Sequence, residues 1–389
     1  MIPLIALAIL GVLLLAGAVY VLRGVHHIRK AKRLTAEVAV LEAQTEASTA
    51  RTAAIEADEE TRQAAEVVAL GFVPEADLDT VHPAPVPAER TAVLAALADG
   101  DWEVGAAYVK AAGRDWEERW QRVRVLADAA VEDDAWLLAW RSAKPSHVTG
   151  ALVHAETAVR VAWKVRGGQS GSRTTQEQFR VFGELLRTAQ KSAHEAQRLA
   201  DPADPVPYMV EQHIGHGLGY SHERYETLWA QIVARDPKVL SAHTNALQYW
   251  CQKWRGSHEL ALAFARQSAA AGEPGELLSL LPLLAYFEED THEPELAAEV
   301  FYKDPEIVAA VDAAVQDLAA ADADDPRAVR MRHMLAYLLF WQDRDAAAAE
   351  QFRHIDGYIG ALPWTYAGSP KSRYVYARDW AVRVSTPGM

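Results

Sequence analysis

A single cysteine, Cys251, stands in a chain of 389 residues. One thiol makes no internal disulfide, so nothing in the chain asks for an oxidising compartment. Positive charge is also in deficit: 39 Lys and Arg against 53 Asp and Glu leave a net charge of -14. A body so acidic is ill suited to nucleic acid or to an anionic lipid surface. Alternating runs of β-branched residues are missing, which excludes a substantial sheet. No Gly-Lys-Ser/Thr loop and no His-Glu-x-x-His helix occurs, so the common phosphate-loop and metalloprotease signatures are absent. Hydrophobic residues make up 50% of the chain, which excludes global disorder.

One long stretch lacks charge altogether. Ile2 to Leu22 carry no charged side chain, and Arg23, Arg29, Lys30, Lys32 and Arg33 follow at once. About 20 apolar residues suffice for a helix to cross a bilayer. The basic cluster lies only on the C-terminal side, which predicts an extracytoplasmic N-terminus and a cytoplasmic body. Ala16-Gly17-Ala18 fits the small-residue rule of a signal-peptidase site. The absence of a basic stretch before Ile2 and the continuation of the apolar run to Leu22 favour a retained anchor over a cleaved signal or a core helix.

Four segments follow from composition: an anchor at 1–22, a basic helical stalk at 23–70, a Pro-rich linker at 71–88 and a helical body at 89–389. Residues 29–69 contain neither Pro nor Gly and favour helix. Leu34, Val38 and Leu41 begin a 3-4 spacing, but Thr45 and Ser48 occupy the next seam positions, which makes a solvated stalk the simpler expectation and a self-associating oligomer the alternative. Val81-His82-Pro83-Ala84-Pro85-Val86-Pro87 blocks helix and strand ladders and predicts an extended spacer.

From Glu89 the pattern is helix after helix, as far as Asp345–Tyr358. In His222–Ala234 the residues Tyr225, Leu228, Trp229, Ile232 and Val233 form one stripe on a 3.6-residue period. Thr175 with Gln178 forms a capping-box pair. The i, i+4 spacings of Trp116/Trp120 and Trp136/Trp140 predict core positions, as does the bulk of Trp102 and Trp163. The expected fold class is therefore all-α: a transmembrane helix followed by stacked helix pairs.

Asp-Pro closes helix pairs at Asp204-Pro205, Asp236-Pro237 and Asp325-Pro326, and the first two lie about one tetratricopeptide period apart. The unit between them resembles a tetratricopeptide repeat. Tyr225, Trp229, Ile232 and Pro237 hold that family's spacings, with Tyr225 and Ile232 larger than its usual alanines. Leu260, Phe264, Gln267 with Gly272, and Ala348, Phe352, Ile355 with Gly360, are further degenerate copies. The body also looks like the Trp-rich, Ala-rich helical-repeat proteins of actinobacteria, a likeness that brings no activity with it. The tetratricopeptide resemblance implies an α-solenoid whose inner groove, lined by the first helix of each pair, binds peptide segments. On that basis the function expected is a membrane-anchored scaffold for a protein or peptide partner, without catalysis and without cofactor. Asn245, Gln248, Tyr249, Gln252 and Lys253 are the candidate groove contacts, because their amides, hydroxyl and cation suit a peptide backbone.

Three other constellations carry possible chemistry. Glu211, His213, His216 and His222 are residue types that bind zinc, and a metal-dependent enzyme built on Glu211/His213/His216 is the alternative function. Gly167–Thr175 precedes a helix and, with Arg173, is a possible anion cradle, although a flexible connector is favoured. Cys251 with His258 or His243 is a nucleophile–base combination, weighed against the usual role of buried cysteine as a small hydrophobe.

Overall fold

A computed structural model describes residues 61–167, 175–292, 297–366 and 368–386, most of 35–59 and a few isolated positions before them. It divides into two compact units, residues 1–71 and 72–389. Within the described residues no helix is long and apolar enough to span a membrane. The expected anchor, Ile2–Leu22, lies outside the described residues except for Gly11, Leu15 and Gly17. The described stalk is helical, and Val38, Leu41 and Ile55 are exposed on it.

The second unit is entirely helical in its regular structure, with one isolated backbone bridge, Asp79 to Tyr358, among the described residues. Its helices are α1 (Ala88–Ala98), α2 (Trp102–Ala111), α3 (Trp116–Glu132), α4 (Ala135–Ala143), α5 (Val148–Arg166), α6 (Gln176–Leu199), α7 (Val206–Leu218) and α8 (His222–Val233). They continue as α9 (Leu240–Trp250), α10 (His258–Ala271), α11 (Leu280–His292), α12 (Ala298–Phe301), α13 (Pro305–Ala320), α14 (Ala328–Trp341), α15 (Asp345–Ile355) and α16 (Pro370–Ser385). The sequence pattern anticipates all but the last, which carries a Ser369 cap and a buried stripe of Tyr374, Ala377, Arg378, Ala381 and Val382.

Each helix packs on its chain neighbour and, repeatedly, on the next but one: α1 on α3, α3 on α5, α5 on α7, α7 on α9 and α9 on α11. A single apolar stripe can be hidden only between such neighbours. Trp120 and Trp140 are sealed in this core, and Trp102 stacks on Trp140 at 5.4 Å. Trp229 meets Phe264 edge-on at 5.4 Å, joining α8 to α10 across successive helix pairs.

The Asp-Pro turns share one geometry. Proline at the helix start has no N–H, and the preceding carboxylate accepts the N–H two residues on. Asp204 takes it from Val206 at 2.9 Å, and Asp236 and Asp325 take it from Lys238 and Arg327 at 2.8 Å. Asp304-Pro305 repeats the device with Glu306 at 2.8 Å.

The Pro-rich segment behaves otherwise than composition suggests. Instead of standing free as a spacer, residues 72–83 are strapped onto the C-terminal helices. Phe72 and Leu78 are buried. Asp79 N–H donates to Gly357 O at 3.0 Å, and Ile359 N–H donates to Asp79 O at 2.7 Å. Arg378 donates to Val73 O at 2.6 Å, and the His333 ring nitrogen lies 3.2 Å from Pro83 O. Proline prevents regular pairing but leaves carbonyls free, and those carbonyls are what α14 and α16 grip.

Gly360 makes this approach possible. Its N–H donates to His82 O at 3.0 Å, and a Cβ there would fall 2.3 Å from the backbone of Val81. Gly360→Ala is therefore expected to lift the strap, lowering stability by about 1–3 kcal/mol. Limited proteolysis should show faster cleavage within residues 72–87; an unchanged cleavage rate and urea midpoint would contradict the strap.

Candidate functional site

Alternate helices of the stack leave one polar face uncovered, and these faces surround a cavity of about 980 Å³. Glu117, Gln121 and Arg124 come from α3, His213 from α7, and Ser241, Thr244, Asn245 and Gln248 from α9. Leu284 comes from α11 and Arg330 from α14, while Gly360–Leu362 and Pro83 of the strap close one side. Pockets of this size accept a small ligand or a few residues of an extended peptide.

The walls are joined by hydrogen bonds. Glu117 accepts from Gln121 at 3.1 Å and from Ser241 N–H at 2.9 Å, and it also takes the Ser241 hydroxyl, tying α3 to α9. The buried Arg119 guanidinium meets Asp204 at 2.9 Å and ties α3 to the start of α7. Burial pushes the Asp204 carboxyl up, against the pull of Arg119 and of the Val206 N–H.

The five expected groove residues separate into distinct roles. Asn245 and Gln248 line the cavity. Asn245 donates to Gln212 at 3.4 Å and Gln248 to Glu288 at 3.2 Å. Tyr249 is fully buried: it stacks on Tyr225 at 3.7 Å and donates to Tyr220 O at 2.7 Å, so it is a core pillar and offers no contact to a partner. The i+1 position of Tyr249 after Gln248 turns it away from the cavity face. Gln252 is exposed in the turn after α9, away from the lining. Lys253 binds both oxygens of Glu288 at 2.7 and 2.8 Å, so its cation is already committed.

The metal candidates do not converge. Glu211 and His213 are two apart on α7 and so leave it on different sides. Glu211 is buried and holds Tyr220 OH and Gln197 at 2.7 Å and His194 at 3.2 Å. Burial raises its carboxyl, but the hydrogen bonds from Gln197, Tyr220 and His194 outweigh that and the net shift is downward. His213 stacks on Trp120, and His216 stacks on Tyr225, with ring centroids 5.9 and 5.8 Å apart. Burial lowers His216 to about 3, and burial together with His216, Arg124 and Arg160 lowers His213 well below the ordinary histidine range. His222 faces Arg255 O at 2.8 Å. Among the described residues no group of three His, Cys, Asp or Glu side chains is placed to hold a metal ion.

Cys251 is likewise placed without a base. Its thiol donates to Leu247 O at 3.3 Å, and burial pushes it up to about 12. His243 is held by Ser268 and the Pro237 carbonyl, and His258 by Glu289. Thr175 and Gln178 do form the reciprocal capping box. Arg173 and residues 168–174 lie outside the described residues.

Sequence reasoning missed Arg124, Thr244 and Arg330. The available signal was an arginine set inside apolar runs, Val123-Arg124-Val125 and Val329-Arg330-Met331. Comparison with protein-family models, curated proteins and solved structures finds no match.

Lys253 secures the turn after α9 to α11 through Glu288. Lys253→Met should leave Glu288 buried without its cation and cost about 2 kcal/mol, a buried-pair loss discounted for the partial exposure of the lysine. A lowered urea midpoint, largely restored by adding Glu288→Gln, is the expected result; no change in the single variant would contradict it.

Proposed function

We propose that this chain is a membrane-anchored helical-repeat scaffold whose cavity receives a segment of another protein. The observation that carries this is the cavity of about 980 Å³ walled by single faces of α3, α7, α9, α11 and α14. Its lining mixes amides and hydroxyls of Asn245, Gln248, Gln121 and Thr244 with the apolar Leu284. Those groups match the alternating donors and acceptors of an extended backbone. The next-but-one packing of helices supports a tetratricopeptide-like α-solenoid. The uncharged Ile2–Leu22 and its one-sided basic flank support a single-pass anchor in the cell membrane with the body in the cytoplasm.

A photo-crosslinking residue at Asn245 tests the surface. In intact cells it should yield one discrete adduct, whereas the same residue at exposed Leu138 should yield none. Equal, diffuse labelling at both positions would sink the assignment. Protease added to inverted membrane vesicles should digest the body, and protease added to right-side-out cells should spare it; the opposite pattern would overturn the topology.

A further inference from the structure

Two cations at the cavity are not neutralised. Three other arginines hold a carboxylate: Arg119 with Asp204, Arg160 with Glu156 and Asp128, Arg327 with Asp325. Arg124 makes no hydrogen bond or ion pair among the described residues and only approaches the Trp120 ring, at 5.8 Å. Arg330 bonds only a hydroxyl, Thr244 Oγ1, at 3.2 Å. Both line the same cavity, Arg124 from α3 and Arg330 from α14. Arg330 is exposed on the cavity side, although the surrounding protein lowers its affinity for protons. Arg124 is half-buried; burial lowers it too, Arg160 and Arg330 add to that, and Glu156 and Asp128 oppose it. Arginine keeps its charge near neutrality regardless.

Two cations that repel each other across one cavity, with no carboxylate of their own, raise the free energy of the empty site. Glu117, the carboxylate that Arg330 feels, is engaged by Gln121 and Ser241, and Glu156 and Asp128, which Arg124 feels, are held by Arg160, so each cation is offset only in part. Asp115, Glu118, Asp322 and Asp324 stand elsewhere in the lining and keep extended polyanions out. A compact dianion satisfies these conditions: two charges for two cations, with tetrahedral oxygens that two guanidinium forks can bond, the Thr244 hydroxyl itself already donating to Ser241 O at 3.0 Å. A carboxylate would leave one cation over.

We propose that Arg124 and Arg330 form a binding site for a phosphate monoester. This rests on the cavity being the binding surface, and its source is either a phosphorylated side chain of the partner or a free small phosphate.

The test uses the full chain in uncharged detergent. Inorganic phosphate should raise the melting temperature by about 2–4 °C near saturation, relative to chloride at equal ionic strength. Arg124→Met and Arg330→Met should each weaken phosphate binding at least about tenfold, without lowering the melting temperature of the phosphate-free protein. Arg330→Lys should keep part of the effect. Loss of stability in both Met variants without phosphate, or a phosphate shift that survives them, would overturn the site, as would equal melting in phosphate and chloride. A degenerate phosphoserine peptide separates the sources. Binding tighter than inorganic phosphate by tenfold or more, and absent for the serine peptide, identifies a phosphorylated partner. Binding no tighter than inorganic phosphate leaves the anion site standing for a small ligand and refutes the peptide-binding function.

Discussion

The structure depends on where each helix hides its apolar stripe. With no sheet among the described residues to cover it, a stripe such as Tyr225–Leu228–Ile232 is buried between the preceding and following helices, and repetition of that solution sets helix after helix side by side. Once a helix has spent one face on this packing, its other face is free to be polar. On α3, α7, α9 and α14 those free faces meet around one cavity, the geometric remainder of the packing. The strap of residues 72–83 then joins the start of the second unit to its last helices, so the cavity has a fixed wall at Pro83 and Gly360.

Inside such a stack every polar group needs a partner, and most have one. Asp317 on α13 accepts from Gly275, Leu277 and Ser279 and so fixes the irregular turn in which Leu277 takes a positive φ. Glu211 gathers three donors. Gln212, fully buried, donates to Ala242 O at 3.0 Å and locks α7 to α9. Arg124 and Arg330 differ from Arg119 and Arg327 in lining the cavity without a carboxylate of their own.

Helix positions were legible because their periodicity is local. The stripe of α8, the Asp-Pro starts and the Thr175 cap are all written within a few residues. Boundaries set by distant groups were not. The pattern starts a helix at Glu276, yet α11 begins at Leu280 because Asp317, some forty residues on, holds the intervening backbone in a turn. The strap was hidden for the same reason: its acceptors are ordinary carbonyls, and their donors lie on α14 and α16. Of the groove, Asn245 and Gln248 were visible as amides on one helix face, whereas the burial of Tyr249 follows from stacking on Tyr225 of another helix. Arg124 and Arg330 come to one cavity only through the fold, from α3 and α14, more than two hundred residues apart in the chain.

Thiol accessibility tests the central claim, a sealed core beside an open cavity, most directly. The native Cys251 is buried with a thiol raised to about 12, so it should resist maleimide in the folded chain. A cysteine at Asn245, on the cavity face of the same helix, should label at least about a hundredfold faster, since thiol reactivity follows exposure and pKa. Comparable rates at the two positions, or labelling of Cys251 alone, would contradict the account.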